Sequence, residues 1–212
     1  MKAWLLPFIL VATASWAQAP HTHQHSFDDA ERWVGVFDDP KRDDWQKPHE
    51  VIRSLALPAD AVVADVGAGT GYFSVRLARA LPKGKVLAAD VESDMVGHLA
   101  ARAKRDELAN MVVVQSDMDD ARLPEKVDVA LFVDVFHHIS GRESYFRRLK
   151  ASLKAGGRVA IVDFRRDSEI GPPPRARISA AHVKRQLAAA GYALAAEHDF
   201  LPNQYFLVFR AQ

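Results

Sequence analysis

Short apolar runs and amphipathic stretches alternate along most of this chain. Ala61–Val66, Val86–Ala89, Met111–Val114, Val127–Val133 and Arg158–Val162 are runs of strand length with little polar interruption. That is the pattern of strands buried on both faces. Between them the spacing predicts helices. One follows the glycine-rich turn at 67–71 and runs to about Leu81, with Phe73, Leu77 and Ala80 on one face. Another is capped by Ser93 or Asp94 and ends near Arg105. A third spans Glu143–Leu153, with Gly156-Gly157 as its stop. Pro48 opens a further helix to Leu57. Strands alternating with helices specify a parallel, doubly wound sheet. The C-terminal pattern differs. A helix from Ser179 to Ala190 stops at Gly191, and Tyr192–His198 and Gln204–Arg210 are joined only by a short turn at Leu201-Pro202-Asn203. So short a connection demands an antiparallel hairpin. The expected fold is therefore α/β: a mostly parallel seven-stranded sheet with one reversed strand in a C-terminal hairpin.

The first residues break the pattern. Met1-Lys2, an apolar run from Ala3 to about Ala14, and the small residues Ser15, Ala17 and Ala19 form the layout of a secretory signal peptide. The run is short for a membrane span. No Lys or Arg follows Lys2 until Arg32, a bias that keeps the N-terminus in the cytoplasm and sends the rest across. Residues 1–19 are thus expected to be a cleaved signal peptide, leaving an exported, periplasmic or secreted form without a stable membrane span. An uncleaved N-terminal anchor is the alternative. Residues 20–47 read as a flexible leader and a partly helical segment packed over the main domain, because Trp33, Phe37 and Trp45 are too many large aromatics for a linker. The main domain spans 48–212. His21, His23 and His25 alternate in the leader, but the tract holds no carboxylate to complete a site, and no metal is expected.

Composition narrows the function. The 212 residues are 49% hydrophobic and 26% charged, enough for a full core. Basic residues number 28 and acidic residues 27, so no basic excess draws the chain to nucleic acid or anionic lipid. The absence of Cys excludes disulfides, Cys-ligated zinc, iron–sulfur clusters and a cysteine nucleophile. Arg147, Arg148, Lys150 and Lys154 read as a solvated helix face, and Pro172-Pro173-Pro174 as a stiff loop at the rim of the site.

The candidate chemistry lies after the first strand. A glycine-rich turn leading into a helix presents main-chain N–H groups to an anion. A dinucleotide fingerprint needs G-x-G-x-x-G. Here the glycines are 67, 69 and 71, position 72 is Tyr, and the Lys-Ser/Thr pair of a P-loop is missing. Asp65 stands just before the loop, where a phosphate would be repelled. A zwitterion suits the turn better, with its carboxylate near the helix amides and its ammonium near Asp65. The methionyl end of S-adenosylmethionine has that pattern.

Asp65-Val66-Gly67-Ala68-Gly69-Thr70-Gly71-Tyr72 resembles the first motif of the class I S-adenosylmethionine-dependent methyltransferases. The resemblance extends over about Val51 to Arg210 in element order and in the terminal hairpin. It implies S-adenosylmethionine as cofactor, held at Asp65, Gly67, Ala68, Gly69 and Gly71. By position it assigns further residues. Asp90 stands where the family's acid accepts hydrogen bonds from the ribose hydroxyls; Glu92 and Asp94 are rivals, but only Asp90 adjoins the apolar run. Ser116-Asp117-Met118 stands where the family meets the adenine, with Asp117 preferred over Asp119 and Asp120 for the amino group. Asp134-Val135-Phe136-His137-His138 is the segment that faces the transferred methyl group, with Asp134 among the residues that hold the cofactor. His137 or His138 is the candidate general base. The segment is not the Asn/Asp-Pro-Pro-aromatic motif that holds a base amino group, which speaks against a nucleic-acid acceptor. In this class the region before the first strand often closes over the site, which makes residues 20–47 a lid.

The expected activity is methyl transfer from S-adenosylmethionine to an unidentified small-molecule acceptor. A sulfonium is already a good leaving group, so orientation and desolvation carry much of the rate. One competing reading is an exported cofactor-binding or accessory protein with this fold and no turnover, since the cofactor is made in the cytoplasm. A nicotinamide-dependent oxidoreductase is disfavoured by Tyr72. The residues specify neither the acceptor nor the oligomeric state.

Overall fold

The apolar runs become strands β1 (Val62–Val66), β2 (Lys85–Asp90), β3 (Met111–Gln115), β4 (Val127–Val133) and β5 (Leu153–Phe164), followed by β6 (Tyr192–His198) and β7 (Gln204–Ala211). The computed structural model describes residues 29–212; the expected signal peptide and the alternating histidines lie outside them. One seven-stranded sheet forms in the order β3-β2-β1-β4-β5-β7-β6. Strands β1 to β5 pair in parallel. Strand β7 runs antiparallel to both β5 and β6, so the expected hairpin and its reversed strand are present.

Central strands need apolar residues in both directions, and β4 supplies them: Val129 to Phe132 are fully buried. Helices α3 (Pro48–Ser54), α4 (Tyr72–Ala80) and α5 (Ser93–Arg105) cover one face. Their Val51, Phe73, Leu77 and Leu99 pack onto Val63, Val86 and Leu131. Helices α6 (Arg142–Leu149) and α7 (Ala180–Ala189) cover the other face, where Phe146, Val183 and Leu187 meet Phe132, Phe136 and Tyr192. Two further helices, α1 (Ala30–Phe37) and α2 (Arg42–Gln46), precede α3 and the sheet. Among the described residues no helix is long and apolar enough to cross a membrane.

Some boundaries differ from the spacing. Helix α3 ends at Ser54 rather than Leu57, because Ala56 turns to φ 45° ahead of Pro58. Helix α6 ends at Leu149, and β5 already begins at Leu153. Gly156-Gly157 therefore lies within β5 and stops no helix. The register jumps there, Val127 facing Leu153 and Val129 facing Arg158, with Gly156 at φ 75° permitting the bulge. Neither Ser93 nor Asp94 caps α5; its cap position is Glu92, and Asp94 instead accepts the Asp29 N–H at 3.0 Å. The basic face is solvated and locally paired, Arg147 with Glu143 and Arg148 with Asp119, while Lys154 belongs to β5 and pairs with Asp128. The proline loop is pinned by Arg177, which is buried and donates to the carbonyls of Pro172, Arg166 and Ser168.

Candidate active site

The strand order reverses between β1 and β4, and ligands of doubly wound sheets sit in the crevice beyond the strand ends at that point. The glycine loop leaves β1 there, and the segment beginning at Asp134 leaves β4. The two loops touch. A β-carbon at Gly67 would lie 2.9 Å from Val135 Cγ1 and closer still to Cγ2, and φ at Gly67 is 72°. Only glycine fits such a position.

Asp90 closes β2 and is 6% exposed. Its Oδ2 accepts the Gly69 N–H at 2.7 Å and its Oδ1 the Glu92 N–H at 3.0 Å, so the acid of the second strand fixes the loop of the first. Ser116 is buried, and its N–H donates to the Asp90 carbonyl at 2.9 Å, which ties the exit of β3 to the same point. Asp65 lies inside β1 and accepts the Ser74 hydroxyl at 2.6 Å, anchoring the first turn of α4 beneath the loop. Burial lifts Asp65 to about 6, against the Ser74 hydrogen bond and with a further push from Asp90. Burial also raises Asp90, against its main-chain donors Glu92 and Gly69.

Two buried carboxylates side by side, each reluctant to ionise, suit a ligand that brings an ammonium and hydroxyl donors. A carboxylate offers about four lone-pair sites, and the main-chain donors to Asp90 use only some of them. The loop, Asp65 and Asp90 therefore fit S-adenosylmethionine. Further out, Asp117 is half exposed, salt-bridged to Arg122, and closes a turn with Asp120 through main-chain hydrogen bonds. Met118 stands exposed at that turn. Ala68 is buried beneath the loop, and Gly71 is the positive-φ cap of α4.

Residues 29–47 pack across this crevice. The Phe37 ring stacks on Trp33 and sits 3.5 Å from where a β-carbon of Gly69 would stand. Asp38 accepts the Thr70 hydroxyl at 3.1 Å and pairs with Arg102 at 2.6 Å. Asp43 accepts the Tyr72 hydroxyl, and the Arg42 and Arg76 guanidiniums lie over the Tyr72 ring. Trp45 packs on Phe164 at the end of β5. The aromatics were the sequence signal for this packing; the fully buried Gln46 gave none.

Asp134 is where segment, β4 and β7 meet. Its backbone takes φ 60° just past β4. Its carboxylate accepts Gln46 Nε2 at 2.9 Å, Gln204 Nε2, and Arg42 Nη2 at 3.5 Å. Burial raises its pKa, with Arg42 opposing and Asp163 adding.

The two histidines part company. His137 Nδ1 lies 2.9 Å from each Asp163 oxygen, and its main-chain N–H also donates to Asp163 at 3.2 Å. The His138 ring lies beside that of His137, centroids 4.0 Å apart. Sequence reading missed Asp163. The signal was available, since it is the one acid within the apolar run of β5 from Val159 to Phe164.

A stability test follows from Asp65. Its raised pKa means that the folded state holds a proton which the unfolded chain gives up at lower pH. The stability this confers is full below about 4 and is lost as pH rises through 6. Asp65→Asn is expected to make the ligand-free protein more stable at pH 7 by about 1–3 kcal/mol, with no gain at pH 4. It should also weaken cofactor binding. Urea denaturation at both pH values measures this, and equal effects at the two values would contradict it.

Comparison with known proteins adds an independent line. A family model for a methyltransferase domain matches residues 63–157. The solved structure of a SAM-dependent methyltransferase from Aquifex aeolicus superposes with a TM-score of 0.81 at 27% identity, over 87% of this chain and 99% of that one. A malonyl-[acyl-carrier protein] O-methyltransferase of Ilyobacter polytropus is 24% identical over 50% of this chain and 40% of its own length. A tRNA (guanine-N(7)-)-methyltransferase of Thermus thermophilus is 30% identical over 55% of this chain and 47% of its own length. The chain thus spans less than half the length of these two curated relatives. With the glycine loop, the buried acids and the reversed terminal strand in place, residues 63–157 match a methyltransferase domain and the chain has the fold of a SAM-dependent methyltransferase.

Proposed function

We propose that this chain transfers a methyl group from S-adenosylmethionine to a small-molecule acceptor. One observation carries the reading: the glycine loop, Asp90 and the Asp134 segment converge at the switch point of the sheet, where a ligand would lie between them. In this reading Asp65 faces the ammonium of the cofactor, Asp90 its ribose hydroxyls, and Asp117 and Met118 its adenine. When bound, the cofactor supplies an electrophilic methyl group on a sulfonium. The protein's part is orientation, exclusion of water and acceptance of a proton at His137. The two curated relatives are named for an acyl-carrier protein and a tRNA, so they set no common acceptor. The absence of a large inserted unit between β1 and β7 favours a small one.

Incubation with methyl-labelled S-adenosylmethionine and a metabolite extract tests the proposal. Label is expected in the small-molecule fraction. Cofactor binding without transfer would instead make the protein an accessory binder of its cofactor.

Two further parts of the reading carry their own tests. Residues 29–47 act as a lid, because Phe37, Arg42 and Gln46 contact the glycine loop or Asp134 directly. Tryptic cleavage at Lys41 and Arg42 is expected to slow several-fold with S-adenosylhomocysteine bound, and an unchanged rate would contradict a lid. The leader pattern of residues 1–19 supports export, with a mature form starting near Gln18 or Pro20. Mass spectrometry of the N-terminus after fractionation decides it.

A further inference from the structure

Building on the methyl-transfer reading, we infer that the acceptor atom is the oxygen of a neutral hydroxyl group, and that Asp163 positions His137 as the base that takes its proton. Asp163 is fully buried in an otherwise apolar strand end. Its oxygens hold His137 Nδ1 at 2.9 Å and the His137 N–H at 3.2 Å, while the Phe164 N–H donates to Oδ1 at 2.7 Å. From the other side Arg142 donates to the carbonyls of Phe136 and His137 at 2.9 and 3.1 Å. Ring and backbone are both fixed. A carboxylate on Nδ1 fixes the proton there and leaves Nε2 as the lone-pair nitrogen. His137 Nε2 has no hydrogen-bond partner among the described residues.

The surroundings select against an anionic acceptor. Tyr205 faces Asp163 across the β5–β7 pair, 5% exposed, and its hydroxyl is buried with no hydrogen-bond partner among the described residues. Such an orphan group calls for a ligand or a water. It offers a neutral donor, since burial holds its pKa far above the ordinary range. The nearby guanidiniums are mostly engaged. Arg142 is held by the two carbonyls just named and Arg42 by the Phe37 carbonyl and Asp134, while Arg165 gives its two Nη groups to the carbonyls of Leu201 and Pro202 and keeps only Nε without a hydrogen-bond partner among the described residues. Tyr205 also lines a cavity of about 340 Å³ at the ends of β5 and β7, whose rim balances Arg165 and Arg166 against Glu197 and Asp199. Behind it stand Asp134 and Asp163. A carboxylate acceptor would approach two buried acids, with the single N–H of Arg165 Nε as the one buried guanidinium donor in the cavity lining that lacks a hydrogen-bond partner among the described residues. It would also need no base, leaving the fixed imidazole without a task. A hydroxyl needs one.

The step balances. The acceptor oxygen gives a lone pair to the methyl carbon, the carbon–sulfur bond breaks with its electron pair left on sulfur, and the hydroxyl proton passes to His137 Nε2. The groups around His137 are Asp163, Asp134, Arg142, His138 and Tyr205. Burial pulls the imidazole pKa down, but the Asp163 hydrogen bond and the charges of Asp163 and Asp134 outweigh it, and Arg142 only partly opposes them. The rate therefore rises with pH along a limb above the ordinary imidazole value, and Asp163→Asn moves that limb to lower pH.

Two measurements on the full chain decide the matter. The labelled product from a metabolite extract is warmed in mild alkali and analysed by mass spectrometry. A label that survives, in a methoxy group, is expected. Released labelled methanol marks a methyl ester and overturns the hydroxyl assignment, as does a methylated nitrogen or carbon. No labelled product at all counts against methyl transfer itself. Independently, imidazole NMR of His137, assigned with His137→Gln, is titrated in the wild type and in Asp163→Asn. The expected result is Nδ1 protonation and a raised pKa that falls in the variant. Equal titration in both proteins overturns the positioning role even if transfer occurs. With an acceptor in hand, Asp163→Asn should lower kcat by about 10²-fold, within the range of general-base loss, with KM little changed.

Discussion

Gly67→Ala is expected to lower the unfolding free energy by about 2–5 kcal/mol and to weaken cofactor binding in the protein that still folds. Two costs add. Residue 67 has φ 72°, and an alanine held in the left-handed region costs about 1–2 kcal/mol. The new methyl group would also overlap Val135, and overpacking costs about 1–3 kcal/mol. Relief requires moving the Asp134 segment away from the loop, which opens the crevice where the cofactor is proposed to lie. Gly35→Ala is the control. That residue sits in α1 with nothing among the described residues within 4 Å of its β-carbon position, so alanine there should be neutral or stabilise by up to about 1 kcal/mol. Urea denaturation reports both variants. Equal shifts would mean that the contact of the two loops is not tight.

Asp90→Ala is expected to weaken S-adenosylhomocysteine binding by about 1.5–3 kcal/mol, the scale of charge-assisted hydrogen bonds. Glu92→Ala should cost less than about 0.5 kcal/mol. The contrast rests on burial. Asp90 is held at the crevice by the Gly69 and Glu92 N–H groups, so the variant loses its contact with ligand and loosens the loop together. Asp90→Asn separates the two effects. It keeps an acceptor for one main-chain donor and removes the charge, so it should bind more weakly than wild type and more tightly than the alanine variant. Isothermal calorimetry measures all three. If Glu92→Ala proves the more damaging, the ribose acid has been misplaced.

The sheet was legible because its strands announce themselves. Val127–Val133 and Tyr192–His198 match the spacing residue for residue, each bounded by a charge or a glycine. The reading failed where one residue type serves two purposes. Gly156-Gly157 has the look of a helix stop, yet it shapes a bulge within β5, and only the pairing of Val129 with Arg158 reveals which. The site divides in the same way. Its glycines and Asp90 sit within one β–turn–α–β stretch, where local order carries the information. Gln46, Asp134 and Gln204 come from three distant segments, and no local pattern marks the glutamines as partners of one carboxylate. Asp163 lay between these cases. A lone acid in an apolar strand is costly unless bonded, and His137 turned out to be its partner.

The crevice at the β1–β4 switch point is expected to take S-adenosylmethionine and its product and to refuse a dinucleotide. Calorimetric titration of the full chain with S-adenosylhomocysteine and, separately, with NAD tests it most directly. The expected result is saturable one-to-one binding of S-adenosylhomocysteine, weakened by Asp90→Ala, and no heat from NAD. Tight binding of NAD with none of S-adenosylhomocysteine would contradict it.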